Sequence, residues 1–405
     1  MRLVTCLSGA LLLTGVAGQS SRTVPPLAQV IDQKRFNTLG NRSAITDGNS
    51  QFIPPGYTAE SLFAKPFHIY DDEFYDIIGP NPTLTLLNST GTNPRFHEAP
   101  VWYPATDEVF FSQNAGAKAA GTGLTRSAVI QKISLAEVTP NITAQRTATP
   151  GQVRVEYVLP NPNIINPNGG TNYRNRILFV GEGQGPNTPP AIYLMHPYSP
   201  YNTSILLDNF FGRQFNSIND ITINPRSGEI YFTDTTYGYV QDFRPPPGLP
   251  KQVYRFNEST GAVAVVADGF NMPNGIAFSP NGQHLYVTDT GLIQGYFGFN
   301  TSFPSTIYRY DVQADGTLEN RKTFAFVSPG VPDGIHFDTR GNLYAGCGDG
   351  VQVYNPSGKL IGKIHVGGTA ANFQFAGKGR MVILAETELY YATLAAEGAF
   401  PGTLY

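Results

Sequence analysis

Four polar residues recur in one register of this chain: Glu98, Asn219, Asn274 and Asp333. Three of them open short alternating apolar runs, Asn219-Asp220-Ile221-Thr222-Ile223, Asn274-Gly275-Ile276-Ala277-Phe278 and Asp333-Gly334-Ile335-His336-Phe337. The fourth sits in Phe96-His97-Glu98-Ala99-Pro100-Val101-Trp102-Tyr103. Brought together, two carboxylates and two amide carbonyls make an all-oxygen donor set. Such a set suits a hard divalent cation, Ca2+ foremost and another divalent cation second, with water completing the shell. None of the four is His or Cys, which disfavours Zn2+. Singly, each has an ordinary structural use. Asn274-Gly275 and Asp333-Gly334 are common turn dipeptides, and an Asn such as Asn219 caps strands through its own backbone. Four such residues in one register favour a shared metal site.

Convergence requires a repeated element. After each run comes a turn closed by Gly, Pro225 to Gly228, Ser279 to Gly282 and Asp338 to Gly341, and then an aromatic-bearing strand. The steps from Asn219 to Asn274 and from Asn274 to Asp333 are 55 and 59 residues, and Glu98 to Asn219 is two such steps. A weaker unit follows at Asn372-Phe373-Gln374-Phe375. Another lies at Ile164 to Gly185, placed by spacing because its opening half shows no clear Asn or Asp in register. Six units of this length predict an all-β fold, a six-bladed β-propeller over residues 51–405. Its inner strands start at one face of the axis, so equal positions converge there. Strands before Glu98 are expected to complete the last blade. The rival β-sandwich needs shorter hairpin spacing. Phe52 to Ile69 carries strand-like runs, Gly121 to Pro150 reads as an irregular insertion, and residues 19–50 read as an N-terminal arm.

Composition agrees: 43 Gly, 32 Pro, 22 Tyr and 26 Phe against 14% charged residues belong to many short strands and turns. A net charge of −3 without a basic cluster argues against a nucleic-acid surface. Residues 1–18, with Arg2, an apolar run at Leu11-Leu12-Leu13 and small residues up to Gly18, read as a secretory signal. No other stretch is apolar for long enough to span a bilayer. Export fits six N-x-Ser/Thr acceptors at Asn41, Asn88, Asn141, Asn202, Asn257 and Asn300. Cys6 leaves with the signal and Cys347 stays alone, so no intrachain disulfide is expected. The sequence leaves the oligomeric state open.

The segments His97 to Trp102, Phe215 to Asp220, Met272 to Ile276 and Val331 to Ile335 resemble the regucalcin/gluconolactonase family of six-bladed propellers, and within it the secreted fungal lactonohydrolases. The likeness covers the chain from about residue 50. It departs at Ala99, where Gly is usual, and at Ile218, where Pro is common. The resemblance implies that Glu98, Asn219, Asn274 and Asp333 hold a catalytic Ca2+. It also implies hydrolysis of sugar-type or pantoyl lactones, with Asp333 as first choice of general base and His336 and His97 as backups. Candidates for the pocket rim are Glu182, Gln184, Tyr237 and Asp289, although Asp234 and Asp289 more readily brace blade turns. Gly181 to Gly185 precedes no helix and is not a phosphate loop. Two other functions compete. One is a Ca2+-bound propeller that binds a glycan or protein without catalysis, and the other is a phosphotriesterase or arylesterase.

Overall fold

Strands form where apolar residues alternate about a Gly-closed turn. Ile218–Ile223 and Ile230–Asp234 pair antiparallel across Asn224 to Gly228. There Gly228 donates its N–H to the Asn224 carbonyl at 2.8 Å and takes φ +73°, a conformation that a side chain resists. The computed structural model describes residues 22–40, 44–138 and 153–400. The 1–18 run, Cys6, Asn41 and Asn141 lie outside them.

The strands form six sheets whose innermost members are Glu98–Tyr103, Pro167–Tyr173, Ile218–Ile223, Pro273–Phe278, Ile335–Phe337 and Asn372–Phe375. Each inner strand packs on that of the next sheet and the sixth returns to the first, giving a six-bladed propeller. Thr83–Ser89 pairs with Glu388–Glu397 and supplies the outer strand of the sixth blade, so the chain's early part closes the ring as expected. Blades adhere through apolar layers. Between the second and third, Leu178, Val180 and Ile192 meet Phe215, Ile221, Phe232 and Tyr254. Burial of this kind contributes about 1.5–3 kcal/mol per large side chain.

Two local expectations change. Ile130–Ser134, inside the expected insertion, is the third strand of the first blade, with Ile130 buried against the second blade and Ile133 against the sixth. In the Phe52 to Ile69 stretch only Phe67–Ile69 is a strand. Ala59–Ala64 is helical because Thr58 and Ser61 cap it reciprocally, Ser61 N to Thr58 Oγ1 at 3.1 Å and Thr58 N to Ser61 Oγ at 2.8 Å. Phe67–Ile69 extends the fifth blade outside Leu360–His365, and Ala28–Val30 pairs parallel beyond it.

Cys347 ends the strand Leu343–Cys347, 1% exposed, and burial pushes its thiol well up. A buried, protonated thiol is a poor nucleophile. A thiol reagent is therefore expected to label Cys347 only once the protein unfolds, and fast labelling of native protein would overturn this placement.

Candidate functional site

Each of the first four inner strands breaks register at its start: between Glu98 and Val101, Pro167 and Gly170, Ile218 and Ile221, and Pro273 and Ile276. A bulge bends a strand and re-aims a side chain. Here the bulged segments deliver Glu98, Asn168, Asn219 and Asn274 to one cavity of about 280 Å³, and Asp333, just before the fifth inner strand, joins them. All four residues of the sequence-derived donor set therefore face the same end of the axis. The second blade adds a fifth, Asn168, which the sequence reading did not find. Its signal was present, since Pro167-Asn168-Gly169 repeats Pro273-Asn274-Gly275 and Pro332-Asp333-Gly334.

Glycines let these strands meet. A Cβ at Gly275 would lie 2.2 Å from the Asp333 carbonyl oxygen, one at Gly169 2.5 Å from that of Asn219, and one at Gly334 2.2 Å from Asn372 Cγ. Asn274-Gly275 and Asp333-Gly334 are thus points of contact between blades, not turns. Where the third blade has Asp220 instead, its carboxylate accepts from Ile276 N at 2.9 Å, at the end of the next blade's bulge. Ala99 takes φ +48°, left-handed backbone at the position where the related pattern has Gly.

Hydroxyls on second strands hold the backbone of the site residues in the following blade. Ser112 Oγ donates to the Asn168 carbonyl at 3.1 Å, Thr233 Oγ1 to that of Asn274 at 2.8 Å, and Thr288 Oγ1 to that of Asp333 at 3.2 Å. Side-chain amides are oriented too. Glu182 accepts from Asn168 Nδ2 at 3.0 Å and from Ser217 Oγ at 2.6 Å, and Asn372 Nδ2 donates to Glu98 Oε2 at 3.0 Å.

What these bonds leave free is informative. The Oδ1 atoms of Asn168, Asn219, Asn274 and Asp333 are buried without a hydrogen-bond partner, four of seven such side-chain atoms among the described residues. A buried polar atom left unpaired costs about 1–3 kcal/mol, so four at one point mark a place for a ligand. Ligand atoms of His97, Glu98 and Asp333 also lie within 4.8 Å of one another. Amide and carboxylate oxygens aimed at one point fit a hard divalent cation.

The electrostatics point the same way. Burial, and then the charge of Asp333, pushes Glu98 well up; burial raises Asp333 to about 6 while His97 pulls it down. Burial lowers His97, but Glu386, Glu98 and Asp333 outweigh it and carry the imidazole up to about 10. Its Nδ1 lies 2.8 Å from Glu386 Oε1 and its Nε2 3.6 Å from Glu98 Oε1. Two carboxylates crowded together in a dry site resist joint ionisation, and a bound cation relieves that.

The remaining candidates separate. Tyr237, on the short helix Tyr237–Val240, lines the cavity and bonds Thr290 Oγ1 through its hydroxyl at 2.6 Å. Glu182 is buried behind Asn168, where burial raises it to about 7. Gln184 Nε2 donates to the Gly123 carbonyl at 2.5 Å, away from the cavity lining. His336 lies beyond the site in the axial channel, its ring 5.2 Å from that of Phe373, and burial lowers it to about 4. Asp234 accepts from Asn216 N at 2.9 Å and Ser217 N at 2.8 Å, and Asp289 from Asn271 N at 2.9 Å and Met272 N at 2.8 Å, so both brace strand starts. Glu386, absent from the sequence-derived set, lines the cavity.

Residues 190–386 match the family described as SMP-30/Gluconolactonase/LRE-like region. Lactonohydrolase oryL of Aspergillus oryzae is 29% identical over 369 residues, covering 86% of this chain and 78% of that protein. A gluconolactonase of Zymomonas mobilis is 29% identical over 45% of this chain and 51% of its own. The solved gluconolactonase of Xanthomonas campestris superimposes with a TM-score of 0.63 at 25% identity, over 81% of this chain and 94% of that one.

Contact between inner strands predicts an asymmetry among glycines. Gly275→Ala, forced against the Asp333 carbonyl, is expected to cost about 1–3 kcal/mol or more in urea unfolding. Gly248→Ala, with no atom within 4 Å of its Cβ, is expected to stay within about 0.5 kcal/mol of the parent. Equal tolerance at the two positions would mean that the inner strands do not meet as described.

Proposed function

We propose that this chain, which matches the SMP-30/gluconolactonase-like region over residues 190–386 and resembles fungal lactonohydrolases over most of its length, is a Ca2+-dependent lactonase that opens sugar-type or pantoyl lactones to hydroxy acids. One observation carries this reading: the four unpartnered buried oxygens of Asn168, Asn219, Asn274 and Asp333, gathered beside Glu98. Glu98, Asn219, Asn274 and Asp333 would hold the cation, with Asn168 facing the same space. When bound, such an ion supplies Lewis-acid polarisation of a carbonyl and compensates developing oxyanion charge.

The chain's own groups supply the proton path. Asp333 lines the cavity, and its carboxylate can accept a proton from an attacking water. As water oxygen bonds the lactone carbon, that proton moves to Asp333. It then passes to the ring oxygen as the carbon–oxygen bond breaks, and the carboxylate is restored. His97, held by Glu386 and charged, balances the carboxylates and so does not compete as base. Tyr237 stands at the cavity wall as a hydroxyl partner for the substrate.

We place the protein outside the cell, on the strength of the 1–18 run and the sequons. Asn202 is an exposed acceptor, while Asn88, Asn257 and Asn300 are half-buried.

The test is turnover of gluconolactone and pantoyl lactone, with a phosphotriester and an aryl ester beside them, against free Ca2+. Chelation should abolish lactone opening. Asp333→Asn, which keeps volume and an amide oxygen, should lower kcat/KM by about 100-fold or more while circular dichroism shows the fold retained. Asn219→Ala should also lose activity, with partial recovery at high Ca2+ by mass action. Near-parental hydrolysis by folded Asp333→Asn in chelator, or turnover of the phosphotriester alone, would overturn the reading.

A further inference from the structure

Most of the residues that line the cavity are polar, but those of one wall are not. Ile293 and Phe299 come from the connection between the second and third strands of the fourth blade, and Val331 precedes Asp333. Phe299 is 57% exposed, and Tyr296 and Phe297 beside it are 40% and 72% exposed. A single exposed aromatic is ordinary. Three within four residues, with Phe299 lining the cavity, form a patch that needs a reason.

The segment carrying them is a built hairpin. Ile293 bridges Phe299, Gln294 N donates to the Gly298 carbonyl at 2.8 Å, Asn300 N to that of Leu292 at 2.8 Å, and Leu292 N to that of Pro304 at 2.8 Å. Its tip is fastened across the ring. Tyr296 hydroxyl donates to the Gly116 carbonyl at 2.6 Å, and Lys118 Nζ sits 3.8 Å from the centre of the Tyr296 ring. Gly116 and Lys118 belong to the first blade, opposite the fourth in a ring of six. Gly295 packs on Val240 of the third, where a Cβ would come within 2.7 Å of Val240 Cγ2. The hairpin therefore spans the axis and holds Phe299 in place before any substrate arrives. A preorganised apolar wall loses little entropy on binding and so favours what it touches.

We propose that Ile293, Phe299 and Val331 form an apolar subsite, and that the preferred substrate is a lactone bearing an alkyl substituent on its ring. This rests on the lactonase reading and deepens it. The polar oxygens take the ester end, and the substituent lies along the hairpin wall. A bare polyol lactone would leave that wall wet.

The experiment uses the full-length protein with Ca2+ and a series of 4-alkyl γ-lactones from methyl to hexyl. In the parent, each added methylene is expected to raise kcat/KM by about two- to fourfold until the wall is covered. Phe299→Ala should flatten that dependence, and Phe299→Leu, still apolar, should keep most of it. Phe211→Ala, an exposed aromatic outside the cavity lining, should keep the parental slope. A flat series in the parent, or an undiminished slope in folded Phe299→Ala, would overturn the subsite while leaving the lactonase reading intact. No opening of any lactone by the parent would overturn that reading and the subsite with it.

Discussion

Buried oxygen without a donor is the constraint on which this molecule turns. Asn168, Asn219, Asn274 and Asp333 come from four different blades, yet each leaves Oδ1 unsatisfied at the same cavity. Left to relax, such groups would turn toward any N–H within reach. Fixed anchors prevent it. Bulges set the direction, Ser112, Thr233 and Thr288 hold the carbonyls behind, and Glu182 takes the amide hydrogen of Asn168. The result is a set of oxygens held for something the protein itself does not supply, which is the meaning of preorganisation at a binding site.

Legibility followed the register. Glu98, Asn219, Asn274 and Asp333 could be read because their repeats share strand, turn and strand in order. Asn168 carries the same Pro-Asn-Gly signature, but the steps on either side of it, 70 and 51 residues, fall outside the 55–59 recurrence. An Asn- and Pro-rich run from Asn161 to Asn166 also masked the strand start. Long-range partnerships were beyond any local pattern. His97 and Glu386 are 289 residues apart, and only ring closure brings them to 2.8 Å. The cavity wall was hidden for a related reason: connections between strands vary in length and carry no repeat, so Phe299 and Gly116 have no counterpart from which to be inferred.

Residues that seemed interchangeable from sequence separate by depth. Glu182 and Tyr237 were both rim candidates, but Glu182 is buried and works by orienting Asn168, whereas Tyr237 reaches the cavity. Asp234 and Asp289 end equivalent strands and take backbone N–H groups from the segments that precede the inner strands of their own blades. They set where those strands begin, which in turn sets where Asn219 and Asn274 stand. His336 belongs to the channel beyond, where burial keeps it neutral.

The axial position also ties activity to the closure of the ring. Glu98 stands on the first inner strand, and its Oε2 is held by Asn372 on the sixth. That contact exists only because Thr83–Ser89, earlier in the chain than Glu98, pairs with Glu388–Glu397 near the other end. His97 is locked by Glu386 across the same seam. If the seam loosened, Glu98 would lose its amide donor and His97 its carboxylate, and the positive charge that balances Asp333 and Glu98 would drift. A propeller latch is usually regarded as a device for stability. In this chain the same strand pairing sets the charge distribution of the site, so opening of the seam should disturb the site before the blades themselves come apart.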